Sequence, residues 1–227
     1  METVSSDGRN LICDPVPDAC PVCHHNVCPT KIGVNVINFG GNSEKVVEII
    51  YRCPNQRCQC AFIAIFVQMR DRYAVLGDKC RLRKLEPVNP KNPEVAEEIK
   101  EVSPNYAQIL GQGAAAEGYG LDQIAGVGYR KALEFLVKDF AISRNRGKDD
   151  EIKNARLGNV IETYVGDAQV KQCAKLAAWL GNDETHYLRK WEEKDITDLK
   201  RLIKLTENWI SSSVLTEQYL KEMAPEK

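Results

Sequence analysis

Cys20-Pro21-Val22-Cys23 and Cys53-Pro54-Asn55-Gln56-Arg57-Cys58 place four thiols in two short, proline-led loops. Two such loops separated by a strand-rich span carry the ligand pattern of a tetrahedral zinc site. Each loop lets two sulfurs converge on one ion while turn amides face them. Four cysteine ligands leave no open coordination position, so a structural zinc is expected rather than a hydrolytic one. The set stays open at its edges: Cys60 is an alternative to Cys58, and His24, His25 or Cys28 are alternatives in the first loop. A disulfide framework would need an oxidising compartment. The segment Met1 to Asp7 shows neither the basic nor the apolar stretch of a secretory signal, so reduced thiols and a cytoplasmic location are expected. Cys13, Cys80 and Cys173 read as ordinary buried thiols.

A second constellation is Gly181-Asn182-Asp183-Glu184-Thr185-His186, which follows the apolar run Leu176-Ala177-Ala178-Trp179-Leu180. If one helix continues through it, Asn182 and His186 share a face one turn apart, with Trp179 on nearly the same row. A polar pair beside a buried tryptophan makes a hydrogen-bonded notch in a bundle. The plain alternative is that Asn182 bonds backbone groups where Gly181 kinks the helix, with His186 its satisfied neighbour. A third is Gly126-Val127-Gly128-Tyr129-Arg130-Lys131-Ala132-Leu133-Glu134. Arg130 and Glu134 are four apart, which fits an intrahelical ion pair, and the helical wheel puts both well away from the apolar stripe, which favours a surface pair unless another helix covers that side. The glycines fit neither nucleotide motif and are expected to let two helices approach closely.

Charge adds a fourth signal. The 227-residue chain has a net charge of −1, but eight Lys or Arg (52, 57, 70, 72, 79, 81, 83 and 84) stand against Asp71 and Asp78 between residues 52 and 84, a local charge of +6. A basic stripe on a small sheet is a candidate nucleic-acid footprint; the plain alternative is a solvated strand face. With 43% hydrophobic residues there is material for a core. No apolar run approaches the ~18 residues of a membrane span, so no membrane partner is expected.

The elements that must position these groups fall into two styles. Residues 1–88 read as strands that deliver the cysteine loops: Lys31 to Phe39, Glu44 to Arg52, Cys60 to Met69 and Lys79 to Leu85, with a turn at Gly40-Gly41-Asn42. A thin sheet of that size buries little apolar surface, and a bound metal adds folding free energy. Residues 89–93 form a proline-rich linker. Residues 94–227 read as helices. Ser103 is the expected N-cap of a helix over 105–117, with Pro104 at its first position. A central helix over 121–142, a charged loop over 144–151, helices over 157–165 and 168–180, and a last helix from Asp195 complete a bundle of four or five helices. The fold class is therefore α+β: a small antiparallel zinc ribbon followed by an all-α bundle.

Taken in order, the ribbon, Ser103-Pro104, Gly128-Tyr129-Arg130-Lys131-Ala132-Leu133-Glu134-Phe135-Leu136 and Gly181-Asn182-Asp183-Glu184-Thr185-His186 resemble the uncharacterised bacterial family catalogued as domain of unknown function 4145. The resemblance covers about residues 94 to 215, and the ribbon is a common N-terminal companion in that family. It implies a HEPN-like four-helix bundle, a group that includes metal-independent ribonucleases, with pairing into a homodimer and a setting in phage defence. Those ribonucleases use an arginine, often followed by a polar residue, and then a histidine four to six residues after the arginine. His186 and Asn182 match the last two, but positions 179 to 181 are Trp179, Leu180 and Gly181. Arginine would neutralise the charge that develops on phosphoryl oxygens. Arg130 is the substitute the central helix offers. The first expectation is therefore a non-catalytic module that binds nucleic acid or a partner protein. The alternatives are a metal-independent ribonuclease using His186, Asn182 and Arg130 or Arg189, and a structural assembly subunit.

Overall fold

Asp7 and Gly8 adopt φ of 50° and 74° and turn the chain between β1 (Glu2–Ser6) and β2 (Arg9–Asp14). Positive φ at both central residues is what a two-residue hairpin with the native strand twist needs. The computed structural model describes residues 1–183, 187, 190, 191 and 193–223. It divides into two units, Met1–Asn89 and Pro90–Lys227. In the first, the hairpin is followed by β3 (Thr30–Ile37), β4 (Val46–Arg52), β5 (Ala61–Arg70) and β6 (Leu76–Glu86).

These strands make one six-stranded sheet in the order β1-β2-β6-β5-β4-β3. All neighbouring pairs are antiparallel except β2 and β6, which run parallel with Cys13 opposite Cys80. The two edges approach each other: Lys31 on β3 pairs with Glu2 on β1 at 3.3 Å, and Lys45 pairs with Asp7 at 2.9 Å. The small antiparallel ribbon expected from the sequence is thus corrected to a larger, mixed sheet curled into a nearly closed barrel; α+β holds as the overall class. The cause is the N-terminal hairpin. Val4 stands alone between Thr3 and Ser5, and Leu11-Ile12-Cys13 is only three residues long, yet Val4, Leu11 and Cys13 complete an interior with Val47, Ile49, Tyr51, Phe62 and Phe66. Alternation explains the rest of the sheet, because β4 and β5 bury every second residue.

The second unit comprises α1 (Glu97–Val102), α2 (Tyr106–Gly118), α3 (Asp122–Arg144), α4 (Asp149–Asn154), α5 (Leu157–Tyr164), α6 (Ala168–Asp183) and α7 (Ile196–Glu222). The described residues thus include two short helices beyond the expected four or five, and α4 begins inside the stretch read as a loop. Ser103 is not an N-cap. It ends α1, and its hydroxyl donates to Asp139 on α3 at 2.5 Å. The periodic stripe of α3 is buried as its spacing requires, with Tyr129, Leu133, Leu136, Val137 and Phe140 in the core. Gly128 of α3 lies against Gly113 of α2, where a methyl group would sit 2.9 Å from the facing Cα. The α7 N-terminus is closed by a capping box between Asp195 and Asp198.

Candidate metal centre and basic face

Each cysteine loop folds back on itself through its own amides. Cys20 N–H donates to His25 O and His24 N–H to Cys20 O, while in the second loop Cys58 and Gln59 both donate to Asn55 O. Cys53 N–H donates to Cys60 O and closes that loop's base. The residue after the second cysteine of each loop is left-handed: His24 at φ 59° and Gln59 at φ 51°. The loops bring all four sulfurs of Cys20, Cys23, Cys53 and Cys58 within 4.8 Å of one another. Cys20 Sγ lies 3.9 Å from Cys58 Sγ, and Cys23 Sγ 3.8 Å from Cys53 Sγ. A tetrahedron with metal–sulfur bonds of about 2.3 Å has edges near 3.8 Å, so four thiolates here fit one ion.

The neighbours are turned elsewhere. Cys60 Sγ donates to Cys58 O at 3.4 Å, His25 Nδ1 bonds Cys23 O at 2.9 Å, and His24 and Cys28 are exposed. The environment already favours an anionic sulfur at one corner: the His25 backbone N–H pulls the Cys23 thiol down to about 6, whereas burial pushes Cys53 up to about 12. With four sulfurs the cluster can hold a metal and offers it no open position, which suits folding rather than hydrolysis. Cys13 and Cys80 are buried thiols on residues that stand opposite each other in the β2–β6 register, while Cys173 is half-buried rather than buried.

The eight cations between residues 52 and 84 separate into two sets. Arg70 is structural: it binds Glu44 Oε1, Asn42 O and Ala74 O. Arg72 stacks on the Tyr73 ring, and Lys84 pairs with Glu86 at 2.8 Å. Arg52, Arg57, Lys79, Arg81 and Arg83 are exposed, and among the described residues their side chains have no partner. Three of these five lie on β6. Its irregular register against β5 between Ile65 and Phe66 sets Leu82 and Lys84 opposite them, leaving Arg83 as the extra residue.

No protein-family model, curated protein or solved structure matches this chain.

The helical constellation is only partly described. His186 and Arg189 lie outside the described residues. Asn182 accepts from Arg130 Nε at 3.0 Å, and Arg130 also pairs with Glu134 at 3.2 Å, as the spacing predicts. Contrary to the wheel, the Arg130 side chain is only 18% exposed. It is covered because α6 presents Gly181 there, whose missing side chain leaves room for the arginine stem. Trp179, expected to be buried, is 52% exposed. The adjacent Asp183 went unnoticed in the sequence. It is buried, and its carboxylate accepts from the backbone N–H groups of Lys190 and Trp191 at 2.8 and 3.0 Å.

Sequence reading also missed two polar triads beside a cavity of about 180 Å³. Tyr106 donates to the buried Glu207, which also accepts from Lys204, and Tyr129 donates to Glu117, which also accepts from Lys200. Lys204 and Glu207 are three apart on one helix, but Tyr106 and Lys200 reach their carboxylates across 101 and 83 positions, which no local spacing marks.

Proposed function

We propose that this chain is a non-catalytic nucleic-acid-binding protein whose sheet unit is held together by one structural zinc ion. The observation that carries the reading is the set of cations on β6 that have no partner among the described residues, Lys79, Arg81 and Arg83, with Arg52 and Arg57 elsewhere in the same unit. Charged groups that fold stability needs are normally engaged within the protein, as Arg70 is here. Cations left in water along one strand have a long-range use in attracting phosphates. Zinc is the metal that best fits four thiolates in tetrahedral array, and a cytoplasmic location, where thiols stay reduced, belongs to the same proposal. The resemblance of the helical part to HEPN-like bundles, with a homodimer and a role in phage defence, belongs to the same proposal.

The test is binding of a labelled oligonucleotide across a salt series, wild type against K79A/R81A/R83A. Loss of three phosphate contacts should flatten the slope of log affinity against log salt by about 2. An unchanged slope defeats the assignment of those residues.

One contact favours a second reading, a metal-independent ribonuclease: Arg130 Nε lies 3.0 Å from Asn182, so a cation does stand next to the polar residue of that motif. RNA incubated with chelator and either wild type, H186A or R130A decides it. Cleavage lost in both variants supports the enzyme; no cleavage by wild type removes it.

A further inference from the structure

The outward side of the sheet is not uniformly polar. Ile50 on β4 faces Ile63 on β5, Val46 faces Val67, and Ile65 lies between those rows; all five are only half-buried. Ile63, Ile65 and Val67 form a continuous aliphatic row on the face opposite the core, flanked on β4 by Ile50 and Val46 with Glu48, which accepts from Asn35, opposite Ile65. Antiparallel sheets with one face in water usually carry polar residues there, so an aliphatic band on that face calls for an occupant. The band has a border. In register, Val67 stands opposite Arg81 and Ile65 opposite Lys84, so β6 runs a cationic edge beside the aliphatic rows of β5. Lys79 continues that edge, and Arg83 adds a charge where the register slips.

We infer that the nucleic acid this face takes is single-stranded, its phosphates following Lys79, Arg81 and Arg83 along β6 and its bases lying over Ile63, Ile65 and Val67. The inference rests on the nucleic-acid reading above and specifies its substrate. Two features select a single strand. First, the aliphatic rows are useful only to a polymer whose bases are unstacked and free to lie flat; a duplex keeps its bases inside and offers a polar backbone to the band. Second, the face is the outside of a curled sheet and therefore convex. A duplex is itself a convex, stiff cylinder, so two such surfaces touch over a short line. A flexible strand can follow the curvature. The cations from Lys79 to Arg83 extend over about 13 Å of strand, enough to engage two or three consecutive phosphates of one chain. A cationic edge beside an apolar surface is also the arrangement by which sheets hold single strands without reading sequence, here with aliphatic groups where aromatic rings would bind more tightly.

The experiment uses the full zinc-loaded chain and fluorescence anisotropy with an oligouridylate of about 12 nucleotides and a blunt RNA duplex of equal length, between about 50 and 200 mM salt. Single strand is expected to bind at least about tenfold more tightly than duplex. The variant I65T/V67T keeps β-forming residues on the surface and should lose about tenfold in single-strand affinity with an unchanged salt slope. K79A/R81A/R83A should instead flatten the slope. Metal content and the thermal transition, unchanged in both variants, show that the sheet is intact. Equal or tighter binding of duplex overturns the single-strand inference and leaves the nucleic-acid reading standing. Full affinity in I65T/V67T overturns the role of the band. Absence of salt-dependent binding to either probe overturns the nucleic-acid reading itself.

Discussion

Arg130 lies across Gly181: a methyl group on residue 181 would sit 2.6 Å from Arg130 Cδ and 2.7 Å from its Cβ. Alanine in a helix interior is worth about 1 kcal/mol over glycine, but forcing a methyl into a packed contact costs about 1–3 kcal/mol. The Cβ of Arg130 cannot swing away as the end of a flexible side chain would, so the contact term wins. Gly181→Ala is expected to destabilise the helical unit by about 1–2 kcal/mol, read as a lowered urea midpoint. A midpoint at or above wild type contradicts this packing.

The metal site can be separated from its neighbours by substitution. Cys23→Ser removes one of four converging sulfurs, whereas Cys60→Ser alters a thiol bonded to a carbonyl. Zinc content measured by elemental analysis should remain at one per chain in the second variant and fall in the first. Chelator should lower the thermal transition of the wild-type sheet unit, since metal binding free energy is folding free energy. Equal zinc loss in the two variants would put Cys60 in the ligand set.

Tyr51 Oη is buried and has no hydrogen-bond partner among the described residues. Its ring stacks on Phe62 at 5.7 Å between centroids, a contact phenylalanine preserves. Tyr51→Phe therefore removes an unpaired hydroxyl without opening a cavity and should stabilise the sheet unit by about 1 kcal/mol. Destabilisation in chemical denaturation would reveal a partner for the hydroxyl.

Acid should loosen the Glu117 triad. Burial raises the Glu117 carboxyl, but the Lys200 ammonium and the Tyr129 hydroxyl outweigh it and hold the group below its ordinary 4.5. A carboxyl depressed in the folded state adds stability above its unfolded value and loses it as pH falls through the folded one. The Glu117 contribution is thus complete above about pH 4.5 and fades below it. Lys200→Met should cost about 1 kcal/mol at neutral pH and reduce that acid dependence, measured by melts from pH 7 to 3. An identical pH profile in wild type and variant would show that Lys200 does not hold the carboxylate.

What the sequence made legible follows from the range of each signal. β4 and β5 were readable because they are dense in β-branched and aromatic residues, and the cysteine loops because two short spacings carry the geometry. β1 and β2 were missed although Asp7-Gly8 is a strong hairpin signal, since Val4 stands alone among polar residues and Leu11-Ile12-Cys13 is only three residues long. The six-residue helices α1 and α4 are too short for a periodic stripe to show. A helical wheel describes one helix, so it placed Arg130 in water without knowledge of Gly181. Tyr106 and Glu207 meet across 101 positions of sequence, and only the fold joins them.

The parallel pairing of β2 with β6 also has a consequence for assembly in time. Ile12 to Asp14 wait for Lys79 to Arg81 as neighbours, so the N-terminal hairpin emerges from the ribosome long before the strand that shelters its inner side. Until then Leu11 and Cys13 have no covering, whereas β3 to β5 can pair as they appear. The sheet therefore closes late and by its most distant contact, a topology that folds slowly. The two cysteine loops, both complete by residue 58, lie between those distant partners. A metal captured early would shorten the chain to be searched before β6 arrives.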